Sequence, residues 1–243
     1  MPIKRPPLVN GEIYHIVLRA IEGFKLFRDE RDSLRMIHDL FEFNDDENVS
    51  SNYRVCKIRN NNVTRTLLVT LPGEKRKKLV DILVFCLMPN HIHLLVRQLQ
   101  EGGISKLMRK IGAGYGGYYN KKHQRSGRLF DGRYRVVHIG NDNQLKVAFV
   151  YIHTNPVAIL VPNWKEDGIS GKELQKATEF LESYRWSSYA DYLEKKNFPS
   201  ITSRDFLLNE LGGIGEAKRF VNDWLQTKKE LKETSSLKEI SLE

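Results

Sequence analysis

Residues 79–97, LVDILVFCLMPNHIHLLVR, constrain the fold more than any other stretch of the chain. Leu79 to Leu87 is nearly continuously apolar, the pattern of a strand buried on both faces rather than one with a wet side. Met88-Pro89-Asn90 punctuates it, and His91 to Arg97 reads as the returning strand. Two such runs joined by a short turn commit this part of the chain to a sheet.

The remaining elements fall around that pair. Gly11 to Ala20, GEIYHIVLRA, alternates and carries β-branched and aromatic residues, which predicts a first strand. In FRDERDSLRMIHDLFEF, Leu34, Ile37, Leu40 and Phe41 recur at helical spacing, with Asp29 or Asp32 as the cap. Residues 44–76 are polar, Asn-rich and basic, and read as an insertion holding two short strands, Tyr53 to Ile58 and Thr64 to Leu71. A helix is predicted over Ile104 to His123, although Gly112, Gly114, Gly116 and Gly117 each weaken it by up to about 1 kcal/mol. These glycines suit a close approach of the helix backbone to the sheet or to a ligand, or a strained helix of purely structural use. Arg133 to Ile139 reads as a fourth strand. Asn143 to His153 reads as a helix stopping before Asn155-Pro156, because the residue preceding a proline avoids the α region.

Strand, helix, strand, strand, helix, strand, helix is the order of two βαβ halves. It predicts an α+β fold: a ferredoxin-like (RRM-like) antiparallel sheet with its helices on one face. Beyond Pro162 a loop leads to helical stretches around Thr178 to Glu194 and Ser203 to Lys232, and then to a charged tail. The chain thus divides into residues 1–165, carrying the sheet and the insertion, and residues 166–243, a C-terminal helical extension with its tail.

Lys and Arg outnumber Asp and Glu by 39 to 30, a net charge of +9. The surplus is local: Arg97 to Arg135 holds ten basic side chains against Glu101 and Asp131. A concentrated basic segment suits a polyanion, since each neutralised phosphate releases condensed counterions, although a solvated cationic face would look the same. Cys56 and Cys86 have no metal-knuckle spacing and read as buried thiols of a reducing compartment. There is no signal-peptide pattern at the start, and no run nears the roughly 18 apolar residues of a membrane span. These features predict a cytoplasmic protein without a membrane partner.

His91 and His93 are two apart on a strand, so both imidazoles project from one face. Neutral imidazoles so placed can share a divalent cation, provided another ligand comes from elsewhere and open positions remain. By itself the pair is a weak signal, since most such pairs are ordinary strand histidines.

LMPNHIHLLV resembles the histidine-hydrophobic-histidine signature of the single-tyrosine HUH transposases, specifically the insertion-sequence type and its REP-associated relatives. YIHTNPV (Tyr151 to Val157) resembles that family's nucleophile helix, and GYGGYYNKKHQRSGRLFDGRYR its basic helix and turn. GEIYHIVLR near the start and YRWSSY (Tyr184 to Tyr189) also fit the pattern. The resemblance covers residues 11–161 in order, apart from the insertion, with a further patch at 184–192. It implies metal-dependent cleavage and rejoining of single-stranded, hairpin-containing DNA, with Tyr151 as the nucleophile. It also implies that His91 and His93 hold Mg²⁺ or Mn²⁺, and that Asn155, one helical turn beyond Tyr151, completes the metal site. The competing reading of Asn155 is a helix C-cap before proline. His153, two residues past Tyr151, reads as structural.

The chemistry accounts for the residue types. A phenol with a reference pKa near 10 is a poor nucleophile at neutral pH. Once activated it can attack a phosphodiester, leaving a 5′-phosphotyrosine that stores the bond energy for rejoining. Tyr115, Tyr118 and Tyr119 are rival tyrosines on the basic helix, suited to packing on the sheet or stacking on an unpaired base. The DNA-contact candidates are Lys106, Arg109, Lys110, Tyr115, Lys121, Lys122, Arg125, Arg128, Arg133 and Arg135. Arg54, Lys57, Arg59, Arg65, Lys75, Arg76, Lys77 and Lys78 would extend the track.

Two other functions stay open on the sequence: a non-cutting hairpin DNA or RNA binder, and a metal hydrolase using bound water. The intact histidine pair and tyrosine argue against the first, and the lack of a third histidine or carboxylate near the pair argues against the second. Asp131, Ala20 and Ala158-Ile159-Leu160 depart from the family's pattern at positions that bear on which DNA is recognised. The resemblance leaves monomer and homodimer equally open.

Overall fold

Every residue of β4 (Val80–Met88) is buried, as its nearly continuous apolar sequence requires. The structure, a computed structural model, describes residues 5–46, 53–60, 63–70 and 76–227, with 53–60 and 63–70 described by backbone alone. β4 lies at the edge of a four-stranded antiparallel sheet with β5 (His91–Gln98), β1 (Ile13–Arg19) and β6 (Arg135–Ile139), in the order β4-β5-β1-β6. An open edge would leave backbone donors and acceptors unpaired. Residues 186–188 cover it: Leu87 N donates to Trp186 O at 2.8 Å and Ser188 N to Phe85 O at 3.0 Å.

The crossovers are α1 (Glu30–Glu42) and α2 (Gly103–Lys122). With the strand order, they give the α+β topology expected from two βαβ halves. Asp29, rather than Asp32, caps α1, accepting a hydrogen bond from Asp32 N at 3.1 Å. Of the α2 glycines Gly114 makes a close approach, to Phe43 at the end of α1 rather than to the sheet: a Cβ there would stand 2.4 Å from the ring, whereas Gly112, Gly116 and Gly117 face open space.

The two crossover helices, α1 and α2, share one face as expected, while α3 (Asp142–Thr154) and the C-terminal helices cover the other, a layer that the sequence pattern does not place. Tyr14, Ile16, Leu18, Ile92, Leu94 and Val96 point into a core with Met36, Leu40, Leu107 and Ile111 of α1 and α2. The alternate residues Val84, Cys86, Met88, Leu95 and Ile139 point into a second core. That core is completed by Phe149 and Ile152 of α3, Leu181 of α6 (Gly171–Ser183), Leu207 of α8 (Arg204–Leu211) and Val221 of α9 (Ile214–Gln226). The C-terminal helices and α3 therefore share one core against the sheet. The signal was present in β1, whose sequence IYHIVLR carries apolar residues at both parities and is buried at both.

Two predicted helical stretches are broken. Tyr184 to Ser188 leave α6 to run beside β4 before α7 (Tyr189–Tyr192). Gly212 and Gly213, at φ of 86° and 98°, separate α8 from α9, a left-handed turn cheap only for glycine. The charged tail beyond residue 227 lies outside the described residues. The short helices α4 (Val157–Leu160) and α5 (Trp164–Asp167) link α3 to α6.

Within the insertion, β2 (Tyr53–Asn60) and β3 (Val63–Thr70) pair antiparallel, Tyr53 opposite Thr70 and Asn60 opposite Val63. These are the two strands anticipated there, the first two residues longer and the second shifted by one. Lys75 and the side chains of Cys56, Arg54, Lys57, Arg59 and Arg65 lie outside what is described. The other expected thiol, Cys86, is buried.

Candidate active site

The register places three histidines on one face. His93 is opposite Val17, His15 opposite Leu95, and His91 opposite Arg19, so His15 is the diagonal cross-strand neighbour of His93. The His91 and His93 rings are 4.7 Å apart between centroids, edge to face at 81°. The pair thus converges as the two-residue spacing predicted.

The hydrogen-bond partners are consistent with one tautomer for each ring. Lys165 Nζ, which can only donate, lies 3.2 Å from Asn155 Oδ1. That contact orients the Asn155 amide, whose Nδ2 lies 3.3 Å from His93 Nε2. Nε2 must therefore accept, and the His93 proton sits on Nδ1, donated to His15 Nε2 at 2.9 Å. His91 follows the same pattern, with Nδ1 donating to Asn90 Oδ1 at 2.7 Å. In both rings the lone pair is on Nε2 and Nδ1–H is held by a neighbour, the arrangement of metal-ligating histidines.

Tyr151 comes from α3 and meets this cluster directly. Its ring stands edge-on to His93 at 5.8 Å and 89°, and to His15 at 5.8 Å and 75°. Lys165 Nζ lies 5.3 Å from the Tyr151 ring centroid, within cation–π range. Tyr151 is 4% exposed, Asn155 1% and His93 0%, so the assembled cluster is closed to solvent.

α3 ends at Thr154, just before Asn155-Pro156 as expected, and Asn155 is its C-cap. Asn155 has helical φ and ψ of −51° and −39°, and the chain continues through Pro156 into α4. Its conformation is one that a residue before proline ordinarily avoids, and it goes with burial and two side-chain hydrogen bonds. The amide turns its nitrogen to His93 and its oxygen to Lys165, so in this arrangement the metal-binding end of the side chain faces away from the imidazole.

The donor set suits a hard or borderline divalent ion: two Nε2 lone pairs, plus an amide oxygen if Asn155 turns over. His38, Asp39 and Glu42 also approach one another on α1. There Asp39, which is buried, is paired with Arg35 at 2.9 Å and Glu42 with His38 at 2.9 Å, an ion-pair network on α1, whose core lies on the other face of the sheet from Tyr151. His153 is the structural residue its position implied. It is wholly buried, burial pushes its pKa down to about 3, and Nε2 bonds Ser188 Oγ at 2.8 Å.

His15 and Lys165 were not singled out in the sequence. His15 could have been found, since β1 pairs with the histidine strand and period-two parity selects it. No spacing rule points to Lys165, which arrives through the turns after α3.

The proposed DNA contacts divide into three groups. Lys106, Arg109 and Arg133 line an open groove of about 650 Å³ together with Arg5, Tyr134 and Gly112. Arg109, Lys121, Arg128, Arg133 and Arg135 are exposed. Arg135 lies opposite Val17 on the edge strand β6, on the histidine side of the sheet. Lys110, Lys122 and Arg125 are engaged internally: Lys110 with Asp45 O, Lys122 with Asp29 and Asp32 at 2.7 Å, and Arg125 with Asn120 Oδ1 at 3.0 Å. Lys106 also pairs with Asp46 at 2.8 Å. Tyr115 is a correction: it is fully buried, donates to Leu26 O at 2.6 Å, and has its pKa pushed up by that burial. Its ring packs on the sheet and has no surface to offer a base. Of the residues flanking the insertion, Arg76 is spent on Phe41 O and Asp45, while Lys78 reaches Asp81 and Ser203.

Comparison with known proteins gives the family and the fold. The sequence profile of the IS200-like transposases matches residues 9–155. No curated protein matches. Among solved structures the chain is similar to a REP-associated tyrosine transposase bound to a REP hairpin, with a TM-score of 0.50 at 12% identity. That similarity covers 84% of this chain and 93% of the other, and extends to the fold.

Proposed function

Since the chain belongs to the IS200-like transposase family, we propose that it cleaves and rejoins single-stranded DNA beside a hairpin through a covalent link to Tyr151. The observation that carries this reading is the meeting of Tyr151 with His93, ring to ring, within one chain. A phenol beside a pair of histidines is the set that covalent cleavage needs, and a protein that only binds does not require it.

In the proposed reaction Tyr151 Oη attacks the phosphorus of a phosphodiester, the P–O3′ bond breaks, and the phenol proton ends on the departing 3′-oxygen. The products are a 5′-phosphotyrosine and a free 3′-hydroxyl, and a second strand's 3′-hydroxyl can reverse the step without ATP. When bound through His91 and His93, Mg²⁺ or Mn²⁺ would polarise the non-bridging oxygens and orient the phosphate. His15 holds the His93 ring through Nδ1 and keeps Nε2 directed into the site. The closed packing around Tyr151 must open to admit a strand, which makes DNA binding the step that exposes the nucleophile.

The groove carrying Arg5, Lys106, Arg109 and Arg133 supplies a sequence-independent grip on backbone phosphates. It lies on the α2 side of the sheet, and Arg135 on β6 faces the tyrosine side. A strand passing over the β6 edge would connect the two. The hairpin held by the similar transposase is consistent with such a partner.

Incubating the protein with Mn²⁺ and a labelled single-stranded hairpin tests the proposal. A covalent protein–DNA adduct is expected from the wild type and none from Tyr151→Phe. The closed state of the site favours one alternative, a hairpin binder that does not cut. Undiminished binding in chelator, with no adduct under any condition, would establish that alternative.

A further inference from the structure

Resting on the reading of His91, His93 and Asn155 as a metal site, we infer that Lys165 is a positioning residue that competes with the divalent cation for Asn155 Oδ1 and so sets the threshold for metal loading. The amide oxygen of Asn155 is the atom of that side chain able to ligate a hard cation. It accepts a hydrogen bond from Lys165 Nζ at 3.2 Å, and the same orientation delivers the amide NH₂ to His93 Nε2 at 3.3 Å. One contact therefore engages two of the three presumptive ligand atoms. For Asn155 to present oxygen to a cation on His93, the amide must turn over and the ammonium must let go.

The surroundings make this a held arrangement rather than a passing one. Asn155 is 1% exposed, so its amide needs partners where it stands. Lys165 follows Trp164, which is 2% exposed in the α3 core, and the ammonium is also drawn to the face of Tyr151. The cation contact thus spans the candidate nucleophile and the candidate third ligand. Displacing it from Asn155 leaves Lys165 beside Tyr151, where its charge would favour an incoming phosphate.

Mn²⁺ titration of the DNA-free protein, read by loss of the free-ion paramagnetic resonance signal, tests the inference independently of cleavage. Lys165→Met removes a hydrogen bond from a charged donor and is expected to tighten Mn²⁺ binding by about ten-fold. Lys165→Arg, which retains a donor and a charge, is expected to bind close to wild type. Combined with Asn155→Ala, the Lys165→Met effect should disappear. Unchanged or weaker binding in Lys165→Met overturns the inference. So does a gain that persists without Asn155, which would reduce Lys165 to through-space repulsion. Wild-type Mn²⁺ binding insensitive to His93→Ala would instead overturn the metal site itself, and this inference with it.

Discussion

His15 Nε2 accepts the Nδ1 proton of His93 at 2.9 Å across two neighbouring strands, with the rings stacked at 18°. This contact sets the tautomer of the imidazole at the centre of the site, and it joins a residue of the first strand to the histidine strand. It is the kind of support that metal-binding histidines draw on.

Removing that support has a direct consequence. His15→Ala is expected to weaken Mn²⁺ binding by about 10- to 100-fold, while His15→Gln, which can still accept from Nδ1 through its amide oxygen, recovers part of the loss. Isothermal titration with Mn²⁺ reads both. Equal affinities in wild type and His15→Ala would show that His93 is held by something else.

The basic residues separate into those that grip DNA and those that grip the protein. Arg109→Ala and Arg133→Ala are each expected to reduce the salt dependence of hairpin binding by about one unit of slope. Lys122→Ala should leave that slope unchanged, because its ammonium is bound by Asp29 and Asp32. Fluorescence anisotropy across a series of salt concentrations distinguishes them, and a larger slope change at Lys122 than at Arg109 would contradict the division.

Asp32 gives the fold a component of acid sensitivity. Burial alone would raise its carboxyl pKa, but hydrogen bonds from Lys122, Arg28 N, His123 and Tyr118 outweigh that and hold it below the ordinary value. The folded state therefore binds its proton less readily than the unfolded chain. The stabilisation is complete above the unfolded pKa of about 3.9 and is lost as pH falls through the folded value. Asp32→Asn should cost about 3 kcal/mol at neutral pH, towards the low end for a broken buried pair because Lys122 keeps some solvent. Urea denaturation should also show a flatter pH profile for this variant below pH of about 4. A parallel loss of stability in wild type and variant on acidification would contradict the assignment.

The sheet was legible because its strands are strongly patterned. LVDILVFCL announced a doubly buried strand, and the βαβ order fixed its neighbours. His91, His93 and Tyr151 were legible as a set, and the structure brings them together. The second helical layer was missed because β1 was read as alternating, although His15 and Val17 are buried on the face that α3 covers. Asn155 was legible as the residue that follows its helix, and it is the C-cap of α3; its contacts with His93 and Lys165 come from tertiary packing. Tyr115 was assigned to DNA on its helix's charge, whereas its position on that helix points it into the core. Lys165 acts at a distance that no local pattern encodes.

The central claim is that the phenolic oxygen of Tyr151 forms the bond to DNA. Mass spectrometry of the proteolysed adduct, made with Mn²⁺ and a 5′-overhang hairpin substrate, locates that bond on a single peptide. The account predicts a phosphonucleotide on Tyr151, within the segment from Val147 to Leu160. The same mass on Tyr118, Tyr134 or any residue other than Tyr151 would contradict it.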